Sequence, residues 1–231
     1  MKIGIGITTY KRPQLLAQCL YNIKRFTASE YELYVATDTD TDNRGIALRK
    51  NECIYNLRHC DYVFLFDDDC YPQKVGWETE VIKMHLKTNV HHFLLASDKI
   101  HKLQEYQFVN DCELKIYDSI GGVFMFITKD VIQKVGGFFA EYERYGFEHI
   151  GYSCRIFEAK LTPAPFISYE GLNYFIFSCD YDVPDFLYNK STVDNEERDR
   201  LGIVNKEIFK KDVLKIYRPI VYEKNTNEVH Q

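Results

Sequence analysis

Three consecutive carboxylates, Asp67-Asp68-Asp69, follow the apolar run Tyr62-Val63-Phe64-Leu65-Phe66 and precede Pro72. In an extended chain, side chains two residues apart point the same way, so Asp67 and Asp69 can share a target while Asp68 faces elsewhere. Adjacent carboxylates repel one another unless a cation offsets them, and hard oxygen ligands suit Mn2+ or Mg2+. A divalent ion held there could bridge phosphate oxygens and stabilise negative charge as a bond to phosphate breaks. Acidic runs also occur in solvated loops and at helix N-caps, so the triplet alone allows either reading and the rest of the chain must decide.

Other residues with binding chemistry stand where strands are expected to end. Thr8, Thr9 and Tyr10 close the first strand, Asp38 closes the second, and Arg12, Arg44 and Lys50 supply positive charge nearby. A carboxylate at the end of the second strand is well placed for a base or a ribose hydroxyl. The chain has neither a Gly-x-Gly-x-x-Gly turn nor a Walker A lysine loop, which disfavours dinucleotide dehydrogenases and P-loop enzymes. His91-His92 flanks a strand and points to both faces, so a shared metal is disfavoured and a structural or surface role preferred. Trp77 could stack on a sugar, but its place in an amphipathic helix favours packing.

The elements that must position these residues follow from hydrophobic spacing. Lys2 to Thr8 reads as a strand, Pro13 suits the first turn of a helix carrying Leu15, Leu16, Cys19, Leu20 and Ile23, and Glu32 to Thr37 is a second strand. Asp38 to Arg44 is a loop, Ile46 to Leu57 a helix, and Asp61 to Phe66 a third, fully buried strand ending at the aspartates. Trp77 to Lys87, Lys129 to Val135 and Glu148 to Ala159 read as helices, His92 to Ala96 and Gly121 to Thr128 as strands. Beyond Pro163 the pattern weakens until a helix over about 194–218, whose Leu201, Val204, Ile208 and Leu214 are expected to dock. Strands alternating with helices argue for an α/β, Rossmann-like architecture with a mostly parallel central sheet flanked by helices.

Composition bounds the partners. The chain has 231 residues and a net charge of −5, which gives no general attraction for nucleic acid or anionic membranes. Its 18 Tyr and 16 Phe suit a core first and stacking second. Seven scattered cysteines without a Cys-x-x-Cys pair read as reduced thiols. No apolar stretch is long enough to span a membrane and the chain opens directly on a strand, so a cytoplasmic protein is expected.

Taken together, Ile5-Gly6-Ile7-Thr8-Thr9-Tyr10-Lys11-Arg12-Pro13, Asn43-Arg44-Gly45-Ile46-Ala47 with Asn51, and Phe64 to Pro72 resemble the GT-A-fold glycosyltransferases of the family 2 type. Gly121-Gly122-Val123, Gly136-Gly137-Phe138, Gly146-Phe147-Glu148-His149 and Ser153-Cys154-Arg155-Ile156 are similar to the second half of galactosyltransferase and polypeptide N-acetylgalactosaminyltransferase families. The ordered matches cover roughly residues 3–157. Singly each motif is weak; in this order they are strong.

The resemblance implies that Thr8, Tyr10, Arg12, Asp38, Arg44, Asp67 and Asp68 hold a nucleotide, that Gly121 and Gly122 lie against the donor sugar, and that Asp67 and Asp69 hold Mn2+ or Mg2+. It gives Glu148 a contact to sugar or acceptor and places His149 where inverting members commonly carry the aspartate base, so that Glu148 or His149 would orient and deprotonate the acceptor. Histidine can take that role near neutral pH, with an ordinary pKa of about 6.5. The family's further metal ligand is often a histidine; here Asp180 or Asp182 could substitute, or Asp69, the diphosphate and water could hold the ion. The expected activity is metal-dependent, inverting transfer of a sugar from a nucleotide diphosphate sugar, UDP-linked by preference, to a hydroxyl of a glycan or other acceptor, a nucleic acid being less favoured. Its rivals are a nucleotidyl or phosphoryl transferase using the aspartates and a catalytically silent nucleotide-sugar-binding module. The expected organisation is a catalytic domain over 1–185, with a nucleotide-sugar half to about 100 and an acceptor half beyond it, and a helical extension over 186–231 packed on the same domain.

Overall fold

The computed structural model describes residues 1–183 and 195–223. The sheet grows from strands β1 (Ile3–Tyr10), β2 (Tyr31–Asp38), β3 (Tyr62–Asp67), β5 (His92–Leu94) and β8 (Phe124–Thr128), in the order β2, β1, β3, β8, β5. The short strand β4 (Cys70–Pro72) lies outside it and pairs with β10 (Ile176–Ser178). Helices α1 (Pro13–Phe26), α2 (Ile46–Leu57) and α3 (Trp77–Thr88) lie between the early strands. Pro13 opens α1, where its missing N–H is no loss. The Asn89 amide closes α3 on His85 with the left-handed backbone that asparagine tolerates.

The sheet is mixed: β1 runs parallel to β2 and β3, whereas β8 runs antiparallel to both of its neighbours. The reversal has a local cause. Between β5 and β8 the chain makes a hairpin, β6 (Leu103–Val109) and β7 (Cys112–Tyr117), turning at Asn110 and Asp111 with positive φ. Without a crossover helix the chain re-enters the sheet from the end it left, which forces an antiparallel strand. Sequence reasoning passed over this hairpin. Its consequence is that Gly121 and Gly122 arrive at the same sheet end as Asp67, whose amide bonds to Val123 O at 2.9 Å.

Alternation along β3 and β8 builds a core on each side. Phe64, Phe66, Phe124 and Phe126 face α3, where fully buried Trp77 meets the Phe64 ring edge-on at 4.7 Å and donates its indole N–H to Thr27. Trp77 is thus a packing residue. On the other face Val63, Leu65, Met125 and Ile127 pack under α2 and α5 (Glu148–Glu158), the latter following α4 (Lys129–Val135). His92 is buried between Phe126 O and Ser153 Oγ, and burial lowers its pKa to about 4, so it is neutral and structural. All seven cysteines are free thiols.

Downstream lie β9 (Ile167–Tyr169), α6 (Leu172–Phe175), β10, α7 (Cys179–Asp182) and the last described helix, α8 (Asn195–Asp212). That helix seats Leu201 but ends at Asp212, leaving Leu214 79% exposed rather than docked. Its stronger anchors are polar. Asp212, fully buried, pairs with Arg155 at 2.9 Å and accepts from Tyr142 Oη at 3.1 Å. Gly151 makes this possible, because a Cβ there would overlap Asp212 Oδ2 and Tyr142 Oη. Among the described residues no helix is long and apolar enough to cross a membrane.

Candidate functional site

The carboxyl end of β3 presents the aspartates as three different environments. Asp67 accepts from Thr8 Oγ1 at 2.9 Å and lies 3.4 Å from Lys50 Nζ. Asp68, fully buried, accepts from Thr9 Oγ1 at 2.6 Å and pairs with Arg12 at 2.5 Å, so it braces the β1 end rather than standing apart. Asp69, also buried, holds the other Arg12 nitrogen at 2.5 Å through Oδ2, while its Oδ1 is buried without a hydrogen-bond partner among the described residues. Burial pushes Asp68 up to about 7 against the pull of Arg12 and Thr9. Asp69 is raised as well, by burial first and then by the Asp67 charge, which together outweigh Arg12.

A fourth carboxylate completes the cluster. The Cys179 amide donates to Asp69 O at 2.9 Å, which seats α7 beside the aspartates. Burial, followed by the charges of Asp69 and Asp67, raises Asp180 to about 7. Of the two downstream candidates, Asp180 therefore feels the cluster, whereas Asp182 accepts from the Ser178 amide at 3.1 Å. An all-oxygen donor set with an unpartnered buried carboxylate oxygen fits Mn2+ or Mg2+. The cluster is not drawn tight: among the described residues, the group of three ligand atoms within 4.8 Å of one another is Glu32, His59 and Cys60, near the opposite end of the sheet.

Lys50 links this cluster to the glycines. It projects from α2, is fully buried, and donates to Gly122 O at 2.5 Å. A Cβ on Gly122 would come 2.8 Å from His149 Cβ and 3.2 Å from Lys50 Nζ, and one on Gly121 would overlap Tyr181 Oη. Both positions need glycine for close approach, whatever their backbone angles. The sequence offered Lys50 only as nearby positive charge.

Across Gly122 stands the start of α5. Phe147 takes φ +69°, an uncommon conformation for a bulky residue, and delivers Glu148 and His149 to the site. Glu148 is buried, with Oε1 3.2 Å from His149 Nδ1 and Oε2 unpartnered among the described residues. Burial alone would raise Glu148, but His149 and Lys50 outweigh it and hold the pKa below the ordinary value. An ionised Glu148 fixes the imidazole with its proton on Nδ1, which leaves Nε2 as the unprotonated nitrogen.

The residues expected at the nucleotide's base are differently engaged. The Asp38 carboxylate already accepts from Arg44 N (2.8 Å), Gly45 N (3.2 Å) and Arg49 Nε (2.7 Å), so it ties the loop to α2. Arg49, which the sequence reading did not single out, also reaches Asp42 and Glu52. Arg44 turns to Asp42 and Tyr222 O. Tyr10 stays half-buried, bonded to Asp40 at 3.1 Å, with Arg144 5.7 Å from its ring centre. Asn51 and Arg155, which carried part of the resemblance, are clamps: Asn51 binds Phe138 N and O, and Arg155 binds the carbonyls of Val135, Gly137 and Ile216.

No family model matches the chain. An uncharacterised glycosyltransferase of Acanthamoeba polyphaga mimivirus is 28% identical over 207 residues, covering 75% of this chain and 80% of that protein. Among solved structures, a Drosophila β-1,4-galactosyltransferase 7 mutant in complex with manganese, UDP-Gal and xylobiose matches with a TM-score of 0.58 and 17% identity, over 95% of this chain and 82% of that one. A mannosyltransferase from Pyrobaculum calidifontis in complex with GDP-Man and Mn2+ matches with a TM-score of 0.47 and 14% identity, over 67% of this chain and 51% of that protein, so about half its length is spanned. The fold is GT-A. The mimivirus relative is likewise named a glycosyltransferase, so the sequence and structure comparisons point the same way.

Proposed function

We propose that the chain moves a sugar from a nucleotide diphosphate sugar, UDP-linked by preference, to an acceptor hydroxyl, with inversion and with Mn2+ or Mg2+ at Asp67, Asp69 and Asp180. One observation carries this reading. Gly122 lies between the carboxylate cluster, reached through Lys50, and the His149–Glu148 pair, so a diphosphate side and a proton-accepting side flank one glycine turn. The bound ion would offset negative charge on the departing diphosphate.

The chain's own residues do the remaining work. Gly121 and Gly122 let Tyr181, His149 and Lys50 close in on the turn along which the donor sugar would lie. His149 Nε2 takes the proton from the acceptor hydroxyl as its oxygen bonds to the anomeric carbon, and the bond from that carbon to the diphosphate oxygen breaks with its electron pair leaving on the nucleoside diphosphate. Glu148 holds the tautomer and stabilises the imidazolium that forms. One displacement with the base on the acceptor side inverts the anomeric centre. The internal engagement of Asp38 argues for a base held mainly at Tyr10 and Arg144.

The test incubates the protein with Mn2+ and a panel of nucleotide sugars and follows release of nucleoside diphosphate. Absence of turnover with every donor, together with unchanged nucleotide binding in Asp69→Ala, refutes the reading. Release of pyrophosphate would instead identify a nucleotidyl transferase. Tight metal-dependent nucleotide binding without any turnover would identify a binding module.

A further inference from the structure

The arrangement around Arg12 contains a mismatch of a particular kind. Its guanidinium spans two buried carboxylates, Asp68 and Asp69, at 2.5 Å each. Yet Asp69 Oδ1 is a buried acceptor without a donor, and Arg12 Nε is a buried donor without an acceptor, among the described residues. The two unpartnered atoms belong to the two halves of one ion pair. A buried orphan of either sort is costly, and more so when it is charged. The orphan acceptor calls for a cation and the orphan donor for an anion, and a divalent ion bound to a diphosphate supplies both.

The geometry points to Arg12 as an exchangeable counter-cation: without metal it neutralises Asp69, and when a divalent ion takes Asp69 the guanidinium is released toward the diphosphate. This rests on the reading that the aspartates hold the ion. The side chain is free to make the exchange. It is 24% exposed, leaves the chain at the residue just before α1, and is fastened at its tip by the two carboxylates. Its backbone carbonyl already serves Leu16 N, so the first turn of α1 does not depend on where the guanidinium points. Lys50, by contrast, is fully buried and also committed to Gly122 O, so it stays with Asp67 through the exchange. Metal and nucleotide then bind with positive coupling, because the ion frees the arginine that the diphosphate uses.

The test reads metal alone, with no donor and no turnover. Free Mn2+ is titrated by electron paramagnetic resonance against the full chain and its Arg12→Gln, Arg12→Lys and Asp69→Ala variants, each with and without UDP. Removing the competing charge is expected to tighten Mn2+ binding without nucleotide by about tenfold or more, the scale of a close charge pair. Arg12→Lys, whose single ammonium cannot fork to both carboxylates, is expected to fall between wild type and Arg12→Gln. UDP is expected to tighten Mn2+ binding by a larger factor in wild type than in Arg12→Gln. Mn2+ affinity that stays level or weakens in Arg12→Gln, while Asp69→Ala abolishes binding, overturns the exchange and leaves the metal site standing. Equal binding by wild type and Asp69→Ala overturns the site itself. Should Arg12→Gln not fold, Arg12→Lys decides: affinity unchanged from wild type refutes the exchange.

Discussion

Gly151→Ala is the substitution for which sequence rules and this structure disagree most. Alanine in the middle of a helix is ordinarily worth about 1 kcal/mol over glycine, so α5 considered alone should gain. In the fold the added methyl occupies the space of Asp212 Oδ2 and Tyr142 Oη, with Asp212 Cγ at 3.2 Å. Asp212 must withdraw from Arg155, both of them buried, and breaking such a pair costs about 3–5 kcal/mol because a charge is left uncompensated. The balance is a loss of about 2–4 kcal/mol, or roughly 4–16 °C in melting temperature for a domain of this size. Urea unfolding followed by circular dichroism measures it. Gly202→Ala is the control, since nothing lies within 4 Å of that position in α8, and it should stabilise by up to about 1 kcal/mol. If Gly151→Ala matches or exceeds wild type, the account of how α8 is seated is wrong.

Three further outcomes are expected. His149→Ala should lower turnover by about 10²- to 10⁴-fold while leaving nucleotide affinity intact, and unchanged turnover removes His149 as the base. Gly122→Ala should push on His149 and Lys50, weaken the fold by about 1–3 kcal/mol and depress turnover; a fully active variant would show the turn to be roomier than 2.8 Å allows. Asp68 and Asp180 are raised from 3.8 to about 7 in the folded state, so each favours folding below its unfolded pKa and that contribution fades as pH climbs from about 4 through 7. Metal-free melting temperature should therefore fall over that window. At pH 7.5 Mn2+ at 100 times its Kd should restore about 2.7 kcal/mol, and a flat profile refutes the assignment.

The first half of the fold was legible because its signals are local. Ile46 to Leu57 repeats apolar residues at helical spacing and forms a helix over those same residues, and the run into Asp67 is the buried strand that hydrophobicity suggests. The hairpin Leu103–Val109 and Cys112–Tyr117 was missed although Cys112 to Ile116 alternates apolar and charged residues, because its outer strand is largely exposed and mixes polar and aromatic residues without a buried face. The reversal of β8 then followed from a connection that was not seen. In the site, residue type showed which groups carry charge but not which already spend it on each other. Asp38 looked like a ligand and holds Arg49; Lys50 looked like one of several positive charges near the strand ends and is buried against Gly122; both facts depend on how α2 is rotated against the sheet. Asp180 could be named only as one of two candidates, since the antiparallel pairing of β10 with β4 is what carries it to Asp69.

The pairing of Arg155 with Asp212 also sets a schedule for biosynthesis. Arg155 leaves the ribosome well before its counter-ion, and at about 5–20 residues per second the wait is on the order of 3–11 s. During that interval the strands, Gly122 and the His149 face can all have been made, yet α5 carries a guanidinium whose final carboxylate has not been synthesised. A nascent chain halted between these residues should therefore hold the sheet without the finished α5, remain open to proteases at that helix, and become resistant only once Asp212 has emerged.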